Sequence, residues 1–455
     1  MGGYTTNQGG ATQIDREYRR AVAMTDAATL AAPLDAVSTR VRIANSESGE
    51  FPFHASTADE ADSGDNSKYC FWIRVGDERM KVVEADPQAG ELTVVRGFES
   101  AAAAHEAGAM VFVPVYVGNR NDLNNPRHSN SWPGGPDYLR YALDPANSDT
   151  QRYKADLIAE LMKTGYDGAW LDTFQVGTYN LCDPLGNRVA YYWDFRANQR
   201  YDLERMTAAI QDMLRGIRQL VKQSVGREPY LAANSVSGSY DRGGKNLMSD
   251  ASRPNLLDGY CFEDSYLRPI LGRREPGARG RLNASFDVVP EARWLKNLTN
   301  QRDCARDGLT AYCMIGPAGY VAAYINDSLP NYDRLIRFSW CSFLLAVTKE
   351  KNIQFGLPLM IERQGKGVGF KPLPAICRAP IGEPLDDRDI EALRSEGLQT
   401  LIRPFSNGLV LARPGGEGAE ERVEIEPGYI DWETGQPVRE LTIAPGDAAL
   451  LLRAE

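Results

Sequence analysis

The alternation of short apolar runs with amphipathic stretches over residues 111–355 constrains this 455-residue chain more than any other feature. Strand-like runs fall at 111–117, 139–143, Gly168–Asp172, 230–234, 257–263, 309–315 and 352–355. Helical spacing occupies several of the intervals. The clearest helix runs from about Asn198 to Lys222, where Leu203, Met206, Ile210, Met213, Leu214, Ile217 and Leu220 form one apolar face and Gly226 ends it. An earlier helix follows Asp144-Pro145. Ser148 and Gln151 there have capping-box spacing, Tyr153, Leu157, Ile158 and Leu161 recur at helical intervals, and Gly165 suits the end. Two more helices are expected over 290–305 and 334–348.

Such alternation predicts an α/β fold with a parallel sheet. No glycine-rich phosphate or dinucleotide loop follows any of the strands, which favours a closed (β/α)8 TIM-type barrel over an open nucleotide-binding sheet. About seven strands are visible from Val111 onward, against the eight a TIM barrel uses. The eighth is placed either within residues 1–30, at 1–5, or outside this chain. The flanks read as β. Val41-Arg42-Ile43, Phe71-Trp72-Ile73-Arg74-Val75, Met80-Lys81-Val82-Val83 and Leu92-Thr93-Val94-Val95 are short runs partly separated by Gly76-Asp77 and Ala89-Gly90 turns. The expected organisation is residues 1–30 left open as a candidate start of the barrel, a small β-module of stacked hairpins over 31–110, the barrel over 111–385, and a C-terminal β-sandwich over 386–455.

With 43% hydrophobic and 25% charged residues, the chain can build large cores. Its net charge of −10 removes the main driving force for binding phosphate backbones or anionic lipid, so neither nucleic acid nor membrane is an expected partner. No apolar run approaches the roughly 20 residues of a membrane span. The first 30 residues lack a leader pattern, so the expectation is an intracellular protein or a chain beginning after a removed leader. The seven cysteines form no C-x-x-C pair, and several lie in apolar runs, as Cys313 does. Buried free thiols are expected rather than disulfides or zinc. The histidines, His54, His105 and His128, are scattered. No metal and no cofactor is expected.

In such a barrel the reacting groups come from the C-terminal strand ends, so the carboxylates there are the candidates. Asp172 ends Ala169-Trp170-Leu171-Asp172, and Glu263 ends the run at 257–263 with Asp264 beside it. Asp144 ends the run before that of Asp172, and Asn234 ends the run after it. A pair of carboxylates can cleave a glycosidic bond, one protonating the leaving oxygen and the other attacking the sugar or activating water. Each residue also has a structural reading. Asp172 could cap a helix or pair with an arginine, Asp144-Pro145 could start a turn, and Asn234 could cap backbone. Asp167 and Asp258, each before a glycine, are read as turn residues at the opposite face. Trp132, Trp193 and Tyr240 fall in expected loops, where an aromatic face can stack on a sugar ring or serve as an apolar plug.

Three ordered segments carry a resemblance: GYDGAWLDTF (165–174), YLAANS (230–235) and LDGYCFEDSY (257–266). Together they resemble segments of bacterial barrel glycoside hydrolases, among them the group called hypothetical glycosyl-hydrolase-like family fifteen. The D-G-x-x-x-D strand is similar to that of dextranase-like and α-galactosidase-like barrels. RPFSNGLVLARPGG (403–416) resembles the sandwich that follows many such barrels, and the region around 73–114 resembles a module of phage tail proteins and some bacterial hydrolases. The resemblance implies an O-glycoside hydrolase acting on an oligo- or polysaccharide. Asp172 would be nucleophile or base and Glu263 general acid/base. Asn234, Asp144, Trp193, Asp264, Tyr240 and Trp132 would contact substrate. A non-catalytic carbohydrate-binding or phage/surface structural protein, and a transglycosylase, remain as alternatives.

Overall fold

A computed structural model describes residues 3–6, 8–9, 20–44, 51–56, 71–117, 140–172, 181–185, 187–233, 256–262, 265–270, 285–315, 331–350, 352–356, 360–362, 368–370 and 374–454. The chain divides into two units, Met1–Tyr230 with Met248–Leu256, and Leu231–Leu247 with Leu257–Glu455.

The first unit opens with β1 (Gly3–Thr6) and β2 (Gln8–Gly9). Six antiparallel strands then close into a small barrel: β3 (Met24–Leu30), β4 (Arg40–Ala44), β5 (Trp72–Val75), β6 (Glu78–Asp86), β7 (Glu91–Val95) and β8 (Met110–Pro114), in the order β3-β4-β7-β6-β5-β8. The period-2 runs read from the sequence explain the filling. Val41, Ile43, Ile73, Val75, Leu92, Val94, Val111 and Val113 alternate inward and share one buried cluster. Hydrogen bonding is completed by closing the sheet rather than by stacking hairpins, so no strand edge is left over.

Glu78 is fully buried in this module. It accepts from both Arg96 Nε and Nη2 at 2.7 Å, from the Gly97 and Ala103 amides at 2.9 and 3.0 Å, and lies 2.9 Å from His105 Nε2. Burial alone would raise its pKa. The hydrogen bonds, led by that from Arg96, outweigh burial and hold the carboxyl at about 2.

The run at 111–117 does not open the parallel sheet. Its first part is β8, and the rest is β9 (Tyr116–Val117) of a second, antiparallel sheet. That sheet has the order β12-β9-β10-β2, with β10 (Arg140–Ala142) and β12 (Leu181–Cys182). The run at 139–143 therefore also lies outside the parallel strands. The Ala142 and Val115 amides donate to Val115 and Ala23 carbonyls, so antiparallel neighbours take this backbone.

Next, α1 (Ser148–Lys163) is capped by Asn147, whose side chain accepts from the Asp149 amide at 2.8 Å. The cap thus sits one residue before the Ser148 of the expected capping box. β11 (Gly168–Asp172) follows and runs parallel to β1, with Thr6 opposite Asp172. A short hairpin, β13 (Trp193–Asp194) with β14 (Gln199–Arg200), precedes α2 (Leu203–Val225). Asp202 caps α2, and Gly226, at φ +83°, ends it in the left-handed conformation that glycine adopts freely. Met206, Ile210, Met213, Leu214 and Ile217 form its buried face, as their spacing predicts, whereas Leu203 in the first turn is exposed and Leu220 half-buried, and α2 packs on α1.

β15 (Tyr230–Ala233), which belongs to the second unit from Leu231 on, β16 (Gly259–Phe262), β19 (Thr310–Met314) and β20 (Ile353–Gly356) are parallel neighbours in that order. β17 (Leu267–Ile270) and β18 (Ser285–Val288) make a hairpin between β16 and α3 (Glu291–Arg306). α4 (Tyr332–Ala346) connects β19 to β20, and β21 (Met360–Glu362) pairs with β22 (Val368–Phe370). Strand–helix–strand units with parallel strands are thus present, but the described residues do not close a barrel of eight.

The C-terminal strands are β23 (Leu401–Phe405), β24 (Gly408–Ala412), β25 (Glu421–Asp431), β26 (Pro437–Ile443) and β27 (Ala448–Arg453). They form one five-stranded antiparallel sheet, β23-β24-β27-β25-β26, rather than the two facing sheets of a sandwich. β25 pairs with both β26 and β27, and its register against β26 shifts between Glu424 and Tyr429, an irregularity that interrupts the ladder locally. No described helix is long and apolar enough to cross a membrane. Of the described cysteines, Cys182, Cys261, Cys304, Cys313 and Cys341 are buried and Cys377 is half-buried, while Cys70 lies outside the described residues.

Candidate functional site

β11 begins with Gly168, where an added Cβ would run into the Tyr230 carbonyl, so only glycine lets this strand start so close to its neighbour. Tyr230 N–H bonds to Asp167 O at 2.9 Å, and the Asp167 side chain pairs with Arg227 at 3.0 Å. The turn role expected of Asp167 is what these contacts describe. Four residues on, the strand ends at Asp172. In the second unit the Asp258 carboxylate accepts from the Leu231 amide at 2.8 Å, again a structural bond at the start of a strand.

Asn234 directly follows β15, and Glu263 and Asp264 directly follow β16. These three residues, with Trp132 and Tyr240, lie outside the described residues. The backbone bracketing Glu263 and Asp264 is described, and it is tightly held. Ser265 Oγ donates to the Phe262 carbonyl at 2.6 Å, Gln301 Nε2 to Ser265 Oγ at 2.9 Å, and Tyr266 O–H to Gln301 Oε1 at 3.0 Å. Asn297 Nδ2 donates to the Ser265 carbonyl at 3.0 Å, and the Ser265 amide to Met314 O at 3.1 Å. Ser265, Tyr266 and Gln301 are fully buried. A buried polar network with its partners in place fixes backbone geometry strongly. The sequence reading missed this network, although Asn297 and Gln301 at i, i+4 on one helix face would have signalled it.

Asp144 and Trp193, the other two predicted contacts, occupy the first unit. Since β10 pairs antiparallel, Asp144 does not end a strand of the parallel sheet. It is a buried carboxyl, accepting from Tyr201 O–H at 2.9 Å and the Ala146 amide at 3.0 Å. Burial pushes its pKa up to about 6 against those two bonds, and the nearby Asp194 adds to the rise. Burial and then the Asp144 charge raise Tyr201 in turn. Tyr192 O–H donates to the Leu143 carbonyl at 3.3 Å, and its ring meets that of Tyr201 edge-on. This is a carboxyl able to hold or release a proton near neutrality. Asp194, also buried, accepts from the Arg196 amide at 3.0 Å. The aromatic-acidic run Tyr191-Tyr192-Trp193-Asp194 was the signal that could have found these residues.

Trp193 packs its ring 5.1 Å from that of Phe112, and Phe195 meets the same ring at 5.0 Å with the Arg74 guanidinium 3.6 Å above it. Trp193 Nε1 is buried and has no hydrogen-bond partner among the described residues. These contacts are those of an apolar plug, the alternative that the sequence left open.

No family model and no curated protein sequence matches the chain. Among solved structures it is similar to the glycoside hydrolase domain of PelA from Pseudomonas aeruginosa, at 15% identity and a TM-score of 0.23. That match covers 44% of this chain and 63% of the PelA domain, less than two thirds of its length. The native debranching enzyme of Nostoc punctiforme matches at 12% identity and a TM-score of 0.30, over 70% of this chain and 66% of that one. The catalytic subunit complex of ER glucosidase II matches at 10% identity and a TM-score of 0.31, over 74% and 35%.

Proposed function

We propose that the chain is an O-glycoside hydrolase acting on an oligo- or polysaccharide, with its parallel strands belonging to a (β/α)8 barrel and Asp172 and Glu263 as the reacting pair. The observation that supports it is positional. β11 ends on Asp172 and β16 ends on the residue before Glu263, and both are parallel strands. C-terminal ends of parallel strands are where α/β enzymes carry their chemistry. In this reading Glu263 protonates the glycosidic oxygen as the bond to the anomeric carbon breaks. Asp172 either attacks that carbon or takes the proton of an attacking water. Carboxyl groups about 5 Å apart give retention, and about 6.5–9.5 Å gives inversion. Asn234, Asp264, Tyr240 and Trp132 are substrate contacts in the same reading. The family resemblance and the barrel closure belong to this proposal.

Purified protein should release reducing ends from at least one member of a polysaccharide panel. Asp172→Asn and Glu263→Gln should each lower the rate by a factor of about 100 or more without changing the melting temperature. Turnover that survives both substitutions would sink the assignment. Saccharide binding with no turnover would point to a carbohydrate-binding protein. Products longer than the substrate would point to a transglycosylase.

A further inference from the structure

The C-terminal sheet carries a cavity of about 350 Å³ that the proposed reaction does not use. Trp432 and Glu433 stand on its rim in the turn between β25 and β26. That turn is rigid: the Thr434 amide donates to Asp431 Oδ1 at 2.8 Å, the Gly435 amide to Asp431 O at 2.8 Å, and the Trp432 amide to Leu450 O at 3.1 Å. Trp432 is half-buried, and Val438 and Leu450 supply an apolar floor. Arg337, reaching in from α4, donates to Glu433 Oε2 at 2.7 Å and to Asp447 Oδ1 at 2.7 and 3.3 Å. The Ala448 amide adds a bond to the same Asp447 oxygen at 2.8 Å.

Two carboxylates are therefore held in fixed orientation by one guanidinium. Among the described residues no hydrogen bond falls on Glu433 Oε1 or Asp447 Oδ2, and both side chains are partly exposed to solvent. Fixed acceptor oxygens beside an indole match a ligand with an apolar C–H face and donor hydroxyls on its edge. A pyranose ring has that chemistry, since aromatic rings take the C–H face while oriented carboxylates take the O–H groups. The volume falls at the lower end of the range for small-ligand pockets.

We infer that this cavity is a saccharide-binding site, with Trp432 as stacking platform and Glu433 and Asp447 as hydroxyl acceptors, separate from the Asp172 and Glu263 chemistry. The ligand class is a neutral oligosaccharide end or segment.

The test uses the full chain carrying Asp172→Asn, which removes turnover in the proposed function. Binding of maltohexaose, cellohexaose and chitohexaose is measured by titration calorimetry, alone and with Trp432→Ala or Glu433→Gln added. At least one probe should bind, and both added substitutions should weaken it by roughly tenfold or more. Glu433→Gln keeps the side chain's shape, and an unchanged melting temperature excludes unfolding. If none of the three probes binds, or if affinity is indifferent to both substitutions, the inference is overturned. The two proposals fail separately. A wild-type protein that hydrolyses nothing but binds through Trp432 loses only the catalytic reading. Hydrolysis lost in Asp172→Asn with Trp432-independent binding removes only this site.

Discussion

At the scale of single residues, two buried carboxyls of the first unit respond oppositely to pH. Glu78 is held at about 2, below its ordinary 4.5, so the native state keeps a charge that the unfolded chain loses first on acidification. Its contribution is present above pH 4.5 and is lost as pH falls towards 2, amounting to about 3 kcal/mol. Asp144, raised from 3.8 to about 6, keeps its proton in the native state while the unfolded chain releases it. Stability therefore falls as pH rises from 3.8 through about 6, again by about 3 kcal/mol. Asp144→Asn removes that second slope. In urea titrations the variant should gain about 3 kcal/mol over wild type between about pH 3.5 and pH 7.5. Equal pH profiles for the two proteins would refute it. Glu78→Gln should cost about 3–5 kcal/mol near neutral pH, since it strands the buried Arg96 guanidinium.

At the scale of elements, the helices were legible because their signals are local. Most of the apolar face of α2 and its terminal Gly226 appear as expected, though Leu203 is exposed; on α1 the expected Leu157 is exposed too, and the cap is Asn147, which reaches the Asp149 amide. Asn147→Ala should cost about 1 kcal/mol in a denaturation curve. Strand partners were less legible. The runs at 111–117 and 139–143 have strand composition, but nothing in them distinguishes an antiparallel neighbour from a parallel one, because pairing depends on residues far away in sequence. Gly168 is a strand glycine required by the close approach of Tyr230. Gly168→Ala should destabilise by about 1–3 kcal/mol or more, seen as a lowered melting temperature. Gln301 tests the support given to Ser265, two residues beyond Glu263. If the proposed function holds, Gln301→Met should lower kcat by about tenfold or more and leave KM within about twofold. An unchanged kcat would make the network purely structural.

At the scale of the whole molecule, buried arginines tie the second unit together where a helix ends. In the second unit, Arg403 on β23 donates to the Leu344, Leu345 and Val347 carbonyls at the end of α4. Arg302 on α3 donates to Leu345 O at 2.6 Å, and Arg403 also bonds to Asp386 O at 2.8 Å. These cations satisfy carbonyls that a helix end leaves open and sit where its dipole is negative. Burial lowers Arg302 to about 9 and Arg403 to about 10, so each arginine carries a desolvation cost that these bonds offset. Arg403→Met should lose about 3–5 kcal/mol of stability and drop the melting temperature, more than any exposed arginine would. A melting curve superimposable on wild type would refute it.

The sequence by itself determined the four long helices and the strands of the parallel strand–helix–strand units, and that Asp172 ends a strand, but not strands such as β3, β17, β18 and β26. Those properties follow from side-chain periodicity, capping residues and glycine, all of which act over a few positions. Only the tertiary structure decided that six N-terminal strands close into a barrel, that Asp144 leaves the parallel sheet for a buried tyrosine, and that Trp193 packs on Phe112. It also decided that the last five strands form one sheet. Each of those outcomes depends on which distant backbone satisfies a strand's open hydrogen bonds and which side chains exclude water together, and neither is written in any local run of residues.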